Sequence, residues 1–258
     1  MRLLLFLKTV LLGLLISLMM GCSVYEPLRP AAPLLRAKGE AEVAVGGYLS
    51  GRLEGSAAYS PLNHLVLRAA GGMTVNQGES AGFRNRQFEL GMGTYRQLPA
   101  DWLIGGGGGY GRGEGNRAFT REGFGSNRDT TSYFDYAARY HTVFADAFLA
   151  HEGSWTTWGV AYRLSQVRFA SLTNNGLPLP LRRMTRNEPM VFVRFGGWHK
   201  GKRWWQVQVA TSLSWSSDYM AGRGAYLPQP LADTKEARVL TSVGLVVYPH
   251  LLARRAGE

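Results

Sequence analysis

Residues 204–215, WWQVQVATSLSW, alternate with a period of two along their length. Trp205, Val207, Val209, Thr211, Leu213 and Trp215 share one face, and Gln206, Gln208, Ala210, Ser212 and Ser214 share the other. The ten-residue step from Trp205 to Trp215, at about 3.3 Å per residue and a tilt near 40°, rises roughly 25 Å along a barrel axis. That is the height of the apolar band on an outer-membrane barrel, and Trp is enriched at both membrane interfaces. An apolar outside and a polar inside reverse the usual arrangement of a soluble protein. The stretch therefore predicts a strand whose outer face is solvated by lipid.

Working outward, the same alternation predicts ten strands, near residues 41–49, 52–60, 64–75, 86–97, 101–112, 133–150, 156–172, 189–199, 203–216 and 238–249. The expected fold is all-β, a single antiparallel up-and-down transmembrane barrel. Eight strands is the alternative count if the first hairpin or the sixth strand is misread. Trp158, Val160, Tyr162 and Leu164 oppose Gly159, Ala161, Arg163 and Ser165, and Val191, Val193 and Phe195 oppose Phe192, Arg194 and Gly196. An Arg or Lys at mid-bilayer on the lipid face costs roughly 2–4 kcal/mol, so charges belong inside. Glu42, Glu54, Arg68, Glu89, Arg139, Asp146, Arg163 and Arg194 are the expected lumen charges. A barrel this small leaves little space beyond its own side chains, which predicts a salt-bridged plug.

The connections alternate in length. SPLNH, LPADW, AHEGSW and HKGKR are short, whereas polar Gly- and Arg-rich loops are expected at about 76–85, 113–132, 173–188 and 217–237. Short periplasmic turns and long external loops are usual in outer-membrane barrels. An even strand count then puts both ends of the barrel in the periplasm.

Arg2 and Lys8 precede an apolar run from Thr9 to Met20, too short to span a bilayer and right for the core of a signal peptide. Residues 1–21 are expected to be removed. LMMGCS resembles the bacterial lipobox, making Cys22, the single cysteine of the chain, the expected site of lipidation, palmitate included. Residues 22–38 carry Pro27, Pro30 and Pro33 without alternation and read as an extended periplasmic tether. The barrel is then expected over 39–250, with a periplasmic tail at 251–258.

Other chemistry lacks a nucleus. GGGGGYGRGEG at 105–115 has dinucleotide-type spacing at Gly106, Gly108 and Gly111, but no helix follows it, and a crowded lumen is the better reason for its glycines. His-Glu-x-x-His, Gly-x-Ser-x-Gly and Cys pairs do not occur. His64, His151, His199 and His250 fall at periplasmic strand ends and His141 within a strand, whereas enzymes on small outer-membrane barrels use His at the external rim. The reading is non-enzymatic, with no cofactor, no metal and no nucleic-acid partner.

Removing Arg2 and Lys8 lowers the formal charge from +11 to +9. Arg dominates, and its fork suits phosphate, so Arg182, Arg183 and Arg186 are candidate contacts for lipopolysaccharide. Membrane lipid and, during biogenesis, the barrel assembly machinery are the other expected partners.

Cys22, the Tyr-x-Pro at Tyr25–Pro27, Pro33–Leu35, Lys38–Glu40, Ala58–Pro61 and His64–Leu65 together resemble the outer-membrane β-barrel-like bacterial lipoproteins. The resemblance covers the first fifth of the mature chain. It implies a lipid-anchored outer-membrane barrel and no catalytic residues. Function is read as structural or surface-interacting. The alternatives are a barrel that carries a small solute, and a soluble lipid-anchored barrel of lipocalin type, which would put Trp205 to Trp215 inside.

Overall fold

The structure, a computed structural model, describes residues 23–48, 50–77, 81–122, 131–196, 204–220 and 228–255. Its strands are β1 (Ala41–Tyr48), β2 (Arg52–Leu62), β3 (Leu65–Gln77), β4 (Ala81–Leu98), β5 (Trp102–Glu122), β6 (Thr131–Glu152), β7 (Thr156–Asn174), β8 (Leu177–Pro178), β9 (Arg183–Phe195), β10 (Trp205–Ser216) and β11 (Arg238–Val247). Short helices α1 (Ser217–Met220), α2 (Gln229–Lys235) and α3 (Pro249–Arg255) complete the described chain. Each strand pairs antiparallel with its neighbour, and β1 pairs with β11, so the sheet closes on itself. The two-residue β8 is a spur on β7, which leaves ten staves. The count of ten is the one the alternation predicts.

The barrel has two unlike ends. At the turn end, tight connections join Leu62 to Leu65, Leu98 to Trp102 and Glu152 to Thr156, and β1 starts and β11 finishes there. At the loop end the strands outrun their expected limits. Residues 113–122, expected in a loop, pair with 131–140, and Gly113 faces Tyr140 across the ladder. The expected loop at 173–188 likewise gives up Arg183–Glu188 to β9, which ends at Phe195 rather than 199. Backbone hydrogen bonds, not apolar side chains, hold a strand together. Polarity at the loop end marks where the apolar band stops, and the wall continues beyond it.

Facing follows the alternation. Trp205 is 43% exposed, and Val209 and Leu213 also look outward, while Gln206, Gln208, Ser212 and Ser214 are buried within. This is opposite to the lipocalin arrangement. Val45, Leu53, Phe88, Leu90, Met92, Val143, Val160 and Val191 extend the exposed apolar belt around the barrel.

The expected tether is not a tether. Residues 23–36 run through the lumen from the loop end to the turn end, and Val24, Tyr25, Glu26, Leu28, Leu34 and Leu35 are fully buried there. Ser23 touches Thr234 beside α2, whereas Arg36 reaches Glu40 and Glu152 at the turn end. Three prolines keep the segment extended and out of the wall ladder. A buried backbone must find partners, and inward side chains of the wall supply them. Chain direction reverses at 37–40, where Gly39 adopts φ +84° and Ser60 accepts its N–H. The tail is also corrected: α3 starts at Pro249, inside the span assigned to the barrel, and His250 bonds back to the Ala41 backbone.

Candidate functional site

The lumen is built from charges held against the amino-terminal segment. Near the turn end, Arg194 donates to Glu42 at 2.8 Å, to Tyr248 at 2.9 Å and to the Ala32 carbonyl at 2.9 Å. Glu42 in turn accepts the Leu34 N–H at 2.9 Å. At mid-height Arg163 pairs with Glu89 at 2.8 Å and Asp146 at 3.3 Å and lies 4.2 Å from the Phe144 ring centre, while Arg68 takes the other side of Asp146 at 2.9 Å. Arg52 donates to the Pro27 carbonyl at 2.7 Å, and Gln87 to the Glu26 carbonyl at 2.7 Å. The Glu26 carboxylate lies between Arg52 at 3.7 Å and Arg238 at 3.6 Å. The wall thus donates to backbone carbonyls of the segment, and Thr74 donates to the Glu26 carboxylate at 3.1 Å. Free space around residues 29–33 amounts to about 50 Å³, room for a few waters and not for a solute.

Seven of the eight expected lumen charges are inside; Arg139 is not, and stands exposed on the outer wall. Asp146 and Arg139 are seven residues apart on β6, which is an odd step, so alternation itself puts them on opposite faces. The register shift near Arg139 inserts Ala170 into β7 and leaves β6 regular. Arg186 is the opposite correction. Expected outside on lipopolysaccharide, it is fully buried and donates to Ser214 and to the Lys235 and Glu236 carbonyls. It lies eight residues from inward Arg194 on one strand, an even step that would have revealed it had β9 been started at Arg183. The same extension finds Glu188, which accepts from Tyr25 and Ser165. Arg182 and Arg183 remain exposed. Cys22 lies outside the described residues, as does His199.

The glycine run has a packing role. Gly105, Gly107, Gly109, Gly111, Gly113 and Gly115 occupy successive inward positions of β5. A Cβ on Gly111 would lie 2.6 Å from the Glu89 side chain, on Gly109 2.6 Å from the Phe144 ring, and on Gly115 2.7 Å from the Val24 carbonyl. Six bare positions make the space that Phe148, Phe144, Tyr140 and the threaded segment fill.

Outside, just beyond the apolar belt on the loop side, three Arg and a His line up. Arg112, His141, Arg168 and Arg183 are successive cross-strand partners from β5 to β9, all on the outward face. In the next row Glu114 sits between Arg86 and Arg139. A groove of about 460 Å³ is lined by Arg86, Arg112, Glu114, Arg139 and His141. His141 is fixed by Tyr110 at 2.6 Å. Nearer the turn end Gly106 and Ala147 lie between Ile104, Tyr162 and Val191, leaving an apolar groove of about 1060 Å³ on the same wall. Among the described residues no group of three or more His, Cys, Asp or Glu is placed to hold a metal.

The molecule belongs to the class of closed antiparallel β-barrels with an apolar outer wall and a filled lumen. No family model matches the chain, and no curated protein matches it in sequence. Among solved structures it is similar to the outer membrane protease OmpT from Escherichia coli, at 11% identity and TM-score 0.45, over 81% of this chain and 93% of that one. It is also similar to the translocator domain of autotransporter NalP from Neisseria meningitidis, at 8% identity and TM-score 0.41, over 81% and 86%. A third is the N-terminal β-barrel domain of Pseudomonas aeruginosa OprF, at 8% identity and TM-score 0.31, over 83% and 99%. No activity is carried over from any of them.

Proposed function

We propose that this chain is an outer-membrane β-barrel, non-enzymatic and non-conducting, whose role is structural and surface-interacting and whose lumen is closed by its own amino-terminal segment. The observation that carries the reading is the threaded, buried segment at residues 23–36, hydrogen-bonded to inward side chains such as Arg52 and Arg194, inside a wall whose outside is apolar. A belt of exposed Val, Leu, Phe and Trp of this extent is solvated by lipid and not by water. The long-strand end faces outward from the cell and the turn end faces the periplasm. Insertion of such a wall is the task of the barrel assembly machinery. Reconstituted in a planar bilayer, the full chain is expected to give no conductance above the lipid background. Stable unitary steps would replace this reading with a solute-carrying barrel.

The surface partner is lipopolysaccharide, held at the outward row of Arg112, His141, Arg168 and Arg183. Like charges placed directly opposite one another on a sheet are destabilising, and Arg168 stands directly opposite Arg183, so that pair calls for an anion to bridge it. Arg forks fit phosphate, and the apolar groove toward the turn end gives the acyl chains a bed. Arg183 is retained from the sequence reading, with Arg182 beside it. Changing Arg112, Arg168 and Arg183 together to Gln is expected to lower co-purified lipopolysaccharide by about tenfold or more, because each charge-assisted contact contributes about 1.5–3 kcal/mol. Unchanged retention in the folded triple variant would remove the site.

A further inference from the structure

The threaded segment also decides at which end of the barrel the mature amino terminus emerges. Ser23 is fully buried, yet it is the residue of the segment nearest the loop end. Its hydroxyl donates to the Thr234 carbonyl at 2.8 Å, and its own carbonyl accepts from Arg117 and Arg238, each at 3.4 Å. Thr234 belongs to α2 in the connection from β10 to β11, Arg238 opens β11, and Arg117 lies in the part of β5 beyond the basic row. Ser23 is thus held at the loop end, among the connections of that end. Seen along the segment, the order of partners is unambiguous: Val24 beside Gly115, Tyr25 beside Glu188, Leu28 beside Gly72, Ala32 beside Arg194 and Arg36 beside Glu152.

We infer that the mature amino terminus is displayed on the loop side of the barrel, the side opposite to the start of β1 and the end of β11, so that a lipidated Cys22 places its acyl chains in the leaflet on that side. A periplasmic anchor, the expectation from the sequence, requires residue 22 at the turn end, and the length of the lumen separates Ser23 from there. The wall offers the acyl chains a low crossing, because β1 stops at Tyr48 and β2 starts at Arg52, whereas β5 and β6 run on to Glu122 and Thr131. An exposed amino terminus on the external face would make this chain a surface-displayed lipoprotein whose anchor and loops share one side. The part of this inference that says "external" rests on the orientation proposed above; the part that says "loop side" does not.

The test uses the full chain with an epitope at one of three places: between Cys22 and Ser23, flanked by Ser; in the Asn175–Gly176 turn at the loop end; and at Asn63 at the turn end. Antibody binding is compared on intact and permeabilised cells, for proteins that keep the heat-dependent gel mobility of a folded barrel. Equal binding before and after permeabilisation is expected for the first two, with Asn63 reached only after permeabilisation. The inference stands if the tag after Cys22 behaves as the Asn175–Gly176 tag does, and it is overturned if that tag behaves as the Asn63 tag does. Should the Asn63 tag be the one exposed on intact cells, the orientation fails, and the same comparison still decides the loop-side claim. Where the epitope blocks folding, a short protease site at the same place is read by the mass of the chain after treating intact cells. Cleavage there together with a site at Asn175–Gly176 supports the inference, and cleavage there together with one at Asn63 refutes it.

Discussion

Arg163 is the residue on which the middle of the lumen turns. It neutralises Glu89 and shares Asp146 with Arg68, stacks on Phe144, and donates to the Leu28 carbonyl of the threaded segment at 3.4 Å. Removing one partner of a buried pair leaves an uncompensated charge and costs about 3–5 kcal/mol. Arg163→Gln is therefore expected to lower the unfolding free energy of the barrel, read by urea titration, by an amount of that order. Arg163→Met combined with Glu89→Met should recover most of the loss, since Asp146 keeps Arg68 and a buried pair replaced by apolar side chains is often neutral. If the double variant is as unstable as Arg163→Gln, burial of charge is not what Arg163 is there to offset. Single residues were legible to the extent that parity was applied to the full strand. Arg163, Arg194 and Arg186 are buried within and Arg139 stands outside, and odd and even steps from Asp146 and Arg194 along the full strands separate Arg139 from Arg186.

Among the elements, β5 shows most directly how composition serves packing. Its inward row is glycine from residue 105 to 115, and this is why Tyr140, Phe144 and Phe148 of β6 can lie flat against it. Gly111→Val would bring Cβ to 2.6 Å from Glu89 and 2.9 Å from the Phe88 carbonyl. Overpacking of this kind costs typically 1–3 kcal/mol, and here part of the clash is with backbone that cannot give way, so a loss at or above about 3 kcal/mol in unfolding free energy is expected. Gly47→Ala is the control: its Cβ meets only Leu53, at 3.9 Å, and a change under about 0.5 kcal/mol should be measured. Equal effects at the two sites would mean that strand propensity, not the crowded lumen, explains the glycines. The length of these strands was hidden because β4 to β7 continue past the apolar belt. Beyond that belt water wets the outer wall, and no apolar alternation is needed to keep the backbone paired.

At the scale of the whole molecule, wall and segment depend on each other. Glu26 is a counter-ion for Arg52 and Arg238, and the lumen's Arg, Gln and Glu side chains are hydrogen-bond partners for a segment that has no strand beside it. A chain lacking residues 24–35 should leave these cations facing a water-filled bore. Unitary conductance absent from the full chain, together with a lower unfolding midpoint, is the expected result in planar bilayers and urea titration. A deletion variant as silent and as stable as the full chain would show that the wall's own side chains close the pore.

The sequence by itself determined that the protein is a barrel of ten strands with an apolar outside and a charged inside. That follows because alternation with a period of two is local: each side chain's face is set by its neighbour two residues away, as in the stretch from Trp205 to Trp215. Only the tertiary structure decided what fills the bore. The segment at 23–36 has no periodicity to betray a burial face, since prolines hold it extended and its neighbours lie on every side of the lumen. Its place is set by non-local demands. Buried carbonyls and N–H groups had to meet Arg52, Arg194, Glu42 and Glu54, and the volume left vacant by the β5 glycines had to be occupied.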